Sequence, residues 1–133
     1  MKSSNYISFD KIYDSLTRIE NLLTNHKNYY AHISSKKTDE MHTEYLAEHS
    51  ALTICYVLKL IEIHQLDKII DDILEILVNH NNTLKSKNFI FSYIKKLFLE
   101  SIYFHDSVKI NENFQFEKMQ NMKFKNKDNG IGS

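Results

Sequence analysis

Apolar positions recur at helical spacing along nearly the whole chain. Ile12, Leu16, Ile19 and Leu23 repeat every three or four residues and predict a first helix over roughly 8–25. The polar stretch ISSKKTDEMH then interrupts the pattern. A second helix is predicted over roughly 43–65, and a third over roughly 67–79, where Asp67 is a candidate N-cap for KIIDDILEILV. NHNNTLKSK breaks the period again. A fourth helix starts near Ser86, another N-cap candidate, and carries NFIFSYIKKLFLESIYFH. A short fifth element is expected within 112–121, and 122–133 reads as a polar tail without a core-forming period. Proline is absent and both glycines, Gly130 and Gly132, lie in the last four residues. Helices joined by polar loops therefore fit better than sheets with tight turns. The fold class is all-α.

Helical wheels give the pattern direction. At about 100° per residue, Glu44, Glu48, Lys59 and Glu62 form one narrow polar stripe on the second helix. His49 falls opposite Glu62, among Thr53, Tyr56 and Leu60, on a face expected to be buried. On the fourth helix an apolar arc collects Phe104, Leu97, Ile90, Ile94, Phe98, Phe91 and Ile102. His105 falls inside this arc and Asp106 at its edge. Two histidines are thus expected to point inward from two helices, one of them followed by a carboxylate. Buried polar groups need partners. A divalent ion between the helices would satisfy imidazole and carboxylate together.

Composition narrows the classes. With 133 residues the chain holds one domain at most, read here as 1–121. Hydrophobic residues at 42% and charged residues at 26% exclude a disordered chain. Lys+Arg and Asp+Glu number 17 each, so net charge argues neither for nor against a nucleic-acid partner. Only Arg18 is arginine. Cys55 is the single cysteine, which excludes an internal disulfide and fits a reducing compartment. MKSSNYISFD lacks the apolar core of a signal peptide and no run reaches the length of a membrane span. The expectation is a cytoplasmic protein without a membrane partner.

The bland readings are specific too. A two-letter His-Asp motif is weak by itself, and a single buried histidine more often bonds a backbone carbonyl than a metal. Phe89, Phe91, Phe98 and Phe104 read most simply as core. Cys55 is expected to face the core and shows no partner pattern, which argues against a nucleophile. KFKNK is too short to argue a phosphate site. His26, His32, His42, His64 and His80 take no role, though His32 in AHI stays open.

Combined, EYLAEHSALTICYVLKLIE and SIYFHDSVKINENFQFEKMQN carry more than either alone. Over roughly 30–121 the chain resembles the N-terminal half of the HD-type nuclease domain of the CRISPR-associated nuclease-helicase of type I systems. The matching positions are Leu46, Glu48 and His49, then His105-Asp106, Lys109, and Asn111 to Gln115, with EKMQN following. The resemblance implies an HD-domain-like helical bundle, incomplete at its C-terminus, with 122–133 at the truncation point. It implies metal ligands His49, His105 and Asp106, with Asp106 and Lys109 as catalytic residues. The implied cofactors are divalent ions: Mn, Co, Ni or Mg. The implied activity is endonucleolytic cleavage of single-stranded DNA in antiviral defence, alongside a helicase and an RNA-guided complex.

Two departures from the family pattern bear on this reading. Ser107 and Val108 replace Ile and Gly, and a β-branched residue in the glycine position is expected to displace Lys109. The family's further ligands lie downstream of Ser133, and His105 is the last histidine, so the chain alone is expected to be inactive. An HD phosphohydrolase acting on nucleotides or phosphate esters is a second reading. A non-catalytic helical interaction module is a third.

Overall fold

A computed structural model describes residues 6–33, 43–80 and 86–125. The described residues are mostly helical, with one two-stranded sheet that the sequence pattern does not announce. None of their helices is long and apolar enough to cross a membrane. The chain divides into two compact units, Met1–Leu16 with Thr53–Tyr103, and Thr17–Leu52 with Phe104–Ser133.

The first unit contains α1 (Phe9–Asp14), most of α3 (Leu46–Ile63), α4 (Leu66–His80) and α5 (Lys87–Tyr103). Its core is Phe9, Ile12, Leu16, Ile54, Ile61, Leu74, Phe91, Leu99 and Tyr103. Ser86 does cap α5, its Oγ accepting from the Phe89 N–H at 3.2 Å. The buried face of α5 is Phe91, Lys95, Leu99 and Tyr103, a strict four-residue repeat. The predicted apolar arc is thereby corrected: Leu97 is 46% exposed and Phe98 42%, while Lys95 is fully buried. Phe89 is likewise half exposed, so the phenylalanine stripe is not uniformly core.

The reason is electrostatic. Lys95 Nζ donates to the Ile7 carbonyl at 2.8 Å and to Asp67 Oδ1 at 2.8 Å, and lies 2.7 Å from Asp71 Oδ1. A buried ammonium is tolerated when its donors are taken and its charge is opposed. This also corrects Asp67, which is the second residue of α4 and not its cap; it accepts from Lys95 and from the Phe9 N–H. Carboxylates thus occupy the inner face of α4, while Ile69, Ile73, Ile76 and Leu77 stand about half exposed outside. The second helix's expected inner face fares the same way: Tyr56 and Leu60 are more than half exposed, and Cys55 is exposed. Between α3 and α4, Gln65 takes a left-handed conformation (φ 52°) that ends one helix and starts the next.

The second unit is built on a hairpin and the segment after α5. The expected helix over 8–25 is broken: α1 ends at Asp14, α2 covers only Ile19–Leu22, and Arg18 between them is extended. Ser15 turns its Oγ back onto the Ile12 carbonyl at 2.9 Å, which closes α1 early. After α2 come β1 (Tyr30–Ile33) and β2 (Thr43–Tyr45), antiparallel with Tyr30 opposite Tyr45 and His32 opposite Glu44. The second helix therefore begins three residues later than expected. Thr43 and Tyr45 suit a strand, and β1 supplies the partner that a local pattern cannot show. The predicted loop after Ile33, with His42, lies outside the described residues.

α6 (Glu112–Glu117) follows, capped by Asn111, whose Oδ1 accepts from the Phe114 N–H at 3.0 Å. From α6 the fully buried Gln115 reaches β1: its Oε1 accepts from the Tyr30 N–H at 2.8 Å and its Nε2 donates to the Tyr30 carbonyl at 2.9 Å. The same Nε2 donates to the Lys109 carbonyl at 2.8 Å. Asn121, equally buried, donates to Gln115 Oε1 at 2.9 Å and to the Asn28 carbonyl at 2.7 Å. Within the stretch read as a tail, Met122–Phe124 form a 3-10 turn and Phe124 is buried against Tyr29, with ring centroids 5.0 Å apart. Residues 126–133 lie outside the described residues.

Candidate metal centre

His49, His105, Asp106 and Lys109 all belong to the second unit. His49 is the fourth residue of α3, close behind strand β2. α5 stops at Tyr103, so His105 and Asp106 sit in the turn beyond it and not on the helix wheel used to orient them. His105 is accordingly exposed, with 44% of its side chain accessible, where the wheel placed it in an apolar arc. His49 is 30% accessible and Asp106 20%. The three are gathered at an accessible edge.

The turn is held by backbone bonds. The Ser107 N–H donates to the Phe104 carbonyl at 3.0 Å and the Lys109 N–H to the Asp106 carbonyl at 2.9 Å. No described non-glycine residue except Gln65 and Gln120 has a positive φ. Val108 therefore meets no conformational demand for glycine, and its side chain points out at 66% exposure. Lys109 lies beside Asp106. Its Nζ donates to the Ala31 carbonyl of β1 at 2.7 Å and to Asp106 Oδ2 at 3.3 Å.

Around Asp106 the geometry is convergent. Its Oδ2 stands 3.2 Å from His49 Nε2 and 3.2 Å from His105 Nε2. The two imidazole rings are 5.6 Å apart between centroids. One donor atom from each of His49, His105 and Asp106 lies within 4.8 Å of the others. With donor–metal distances of about 2.1 Å, neighbouring donors around one ion stand about 3.0 Å apart in an octahedron and about 3.4 Å in a tetrahedron. Contacts of 3.2 Å fall between these values. Two imidazoles and one carboxylate also form a donor set that suits mid-series divalent ions. In donor type and in the two 3.2 Å contacts to Asp106 the residues fit such an ion, while the donors as a set spread over up to 4.8 Å.

Glu44 completes the arrangement, and the sequence pattern misassigns it. Read as helical, it joins Glu48 in a polar stripe; as part of β2, it lies 2.7 Å from His49 Nδ1 through its Oε1. A carboxylate only accepts, and the Nδ1 contact at 2.7 Å is shorter than the 3.2 Å between Nε2 and Asp106, so the hydrogen of the neutral ring is assigned to Nδ1. The available signal was the β-prone Thr43-Glu44-Tyr45 run just before a candidate ligand. His32 faces Glu44 across the strand pair and is exposed, outside the three-residue cluster. A cleft of about 490 Å³ in the same unit, lined among others by His26, Lys27, Tyr45 and Lys123, includes none of the three. No family model, curated protein or solved structure matches the chain.

Proposed function

We propose that the chain carries the ligand-bearing part of a cytoplasmic, HD-domain-like, metal-dependent phosphodiester hydrolase that acts on single-stranded DNA in antiviral defence, and that its three ligands alone do not support cleavage. The observation that carries the reading is the convergence of His49, His105 and Asp106, residues up to 57 positions apart, on one small volume. The resemblance of the flanking motifs to the CRISPR-associated nuclease domain supplies the substrate and the helicase partner. Lys109, Asn111, Gln115 and Asn121 also belong to the resembling stretch, and each makes a contact that shapes the centre or its support. Lys109 touches the carboxylate, Asn111 caps α6, and the two amides bind the segment to β1 and to the Asn28 carbonyl just before it.

Each residue has a separable part in the reaction. His49 and His105 offer nitrogen donors through Nε2, and Asp106 offers a charged oxygen between them. Lys109 holds the Asp106 carboxylate in place and ties it to strand β1. A divalent ion held there would polarise a phosphoryl oxygen and acidify the attacking water, whose oxygen replaces the leaving alkoxide at phosphorus. The exposure of His105 leaves room on the open side for a strand to enter.

Calorimetric titration of the chain with Mn, Co, Ni and Mg, beside cleavage assays on single-stranded DNA, tests the proposal. Asp106→Ala should weaken ion binding by about tenfold or more. It should shift stability by about 1 kcal/mol or less, because Lys109 keeps the Ala31 carbonyl. Weak ion binding without cleavage is the outcome expected of the chain alone, and robust ion-dependent cleavage lost in Asp106→Ala would overturn the expectation that three ligands are too few. Hydrolysis of free nucleotides in place of DNA would move the substrate to a phosphohydrolase, and a chain that takes up no ion would refute the reading.

A further inference from the structure

Glu44, which is not one of the three candidate ligands, makes a close contact to one of them. Its Oε1 lies 2.7 Å from His49 Nδ1. An imidazole that is only packed can rotate and present either nitrogen. One whose Nδ1–H is engaged by a carboxylate presents Nε2 alone, and its lone pair becomes more basic. Here Nε2 is the atom that faces Asp106, at 3.2 Å. The bond therefore selects the nitrogen that points into the cluster.

Glu44 is itself located by the hairpin. Thr43 and Glu44 pair with Ile33 and His32, which fixes the strand against β1. β1 acts on the other side of the centre as well, because its Ala31 carbonyl accepts from Lys109 Nζ and Lys109 touches Asp106 Oδ2. One strand steadies the imidazole and the other steadies the carboxylate. We propose that Glu44 is a positioning residue of the centre, fixing the His49 ring through Nδ1 so that the β1–β2 pair determines ion affinity. This rests on the metal-dependent reading above and assigns a role to a residue that the motif resemblance does not include.

The experiment compares the full chain with Glu44→Gln and Glu44→Ala. Titration with MnCl2 and CoCl2 reads ion affinity, and the His49 Nδ1–H resonance in 15N-labelled, ion-free protein reads the ring. Glu44→Ala should weaken binding by about 10- to 100-fold and abolish the Nδ1–H resonance. Glu44→Gln, which keeps an acceptor oxygen, should restore the resonance and part of the affinity. Backbone amide shifts of β1 and β2 should stay unchanged in both variants, which separates positioning from support of the hairpin. An unchanged Nδ1–H resonance in Glu44→Ala would overturn the proposal, as would affinity within about twofold of wild type. If wild type binds neither ion, the hydrolase reading fails. The ring measurement then decides the Glu44 assignment by itself, loss of the resonance in Glu44→Ala supporting it and persistence overturning it.

Discussion

Replacing Gln115 with leucine removes one buried amide and orphans four groups. The Tyr30 N–H, the Tyr30 carbonyl, the Lys109 carbonyl and the Asn121 amide all lose a partner now held at 2.8–2.9 Å. Each such bond contributes about 0.5–1.5 kcal/mol net, and a buried partner left unpaired costs about 1–3 kcal/mol. Leucine returns part of this through apolar burial, about 1.5–3 kcal/mol for a side chain that is fully enclosed. The balance is a loss of several kcal/mol, from about 1 to about 10 kcal/mol across these ranges and about 6 at their midpoints. Against a total stability of about 5–15 kcal/mol, that is a large fraction.

The loss should also be local. Gln115 and its four partner groups all belong to the unit that carries His49 and Asp106. Urea unfolding with amide hydrogen exchange is the assay, and the exchange of Tyr30 and Lys109 reports the site of damage. Ion affinity should fall with it, since Lys109 holds both its backbone bond to Gln115 and its side-chain bond to Asp106. A Gln115→Leu chain within about 1 kcal/mol of wild type, with Tyr30 still protected, would refute the reasoning.

Lys95→Met should cost about 3–5 kcal/mol by urea unfolding, because it leaves the carboxylates of Asp67 and Asp71 facing each other without their cation; a cost below about 1 kcal/mol would show that the triad is dispensable. The pair Tyr6–Glu75 predicts two pH limbs. The Tyr6 hydroxyl donates to Glu75 and, with Lys87, holds the Glu75 carboxyl below its ordinary 4.5. Its contribution is therefore present above that value and is lost as pH falls through the lower folded one. The same bond raises the Tyr6 hydroxyl above 10.0, so its contribution persists below 10.0 and is lost as pH rises through the folded value. Tyr6→Phe should shrink both limbs in a stability–pH profile, and a profile parallel to wild type at both ends would contradict this.

Hydrophobic spacing located the long helices well, since α4 and α5 start within one residue of their expected positions. It failed on which face is buried. Lys95 counts as polar on any wheel, yet it is buried because Ile7, Asp67 and Asp71 supply oxygens from positions 24 to 88 residues away. Gln115 and Asn121 are buried for the same kind of reason, through bonds to Tyr30 and Asn28. A local pattern carries no record of such partners. The strand Thr43–Tyr45 was hidden for a related cause, because only its pairing with β1 distinguishes it from the first turn of a helix. The candidate ligands were singled out by the wheels and given a motif by resemblance, yet the wheel gave the wrong surroundings for His105.

Both backbone groups of Tyr30 point away from β2 and are taken by Gln115. In an antiparallel pair such outward groups form the free edge, the surface on which another strand can add. A single side-chain amide, offering one acceptor and one donor at the spacing of a peptide group, occupies that edge at Tyr30. The stretch that delivers the amide is the one that follows His105 and Asp106. Any change that lifts it away would disassemble the cluster and uncover a strand edge in the same motion. Loss of the centre and self-association through β1 are therefore coupled outcomes of one displacement.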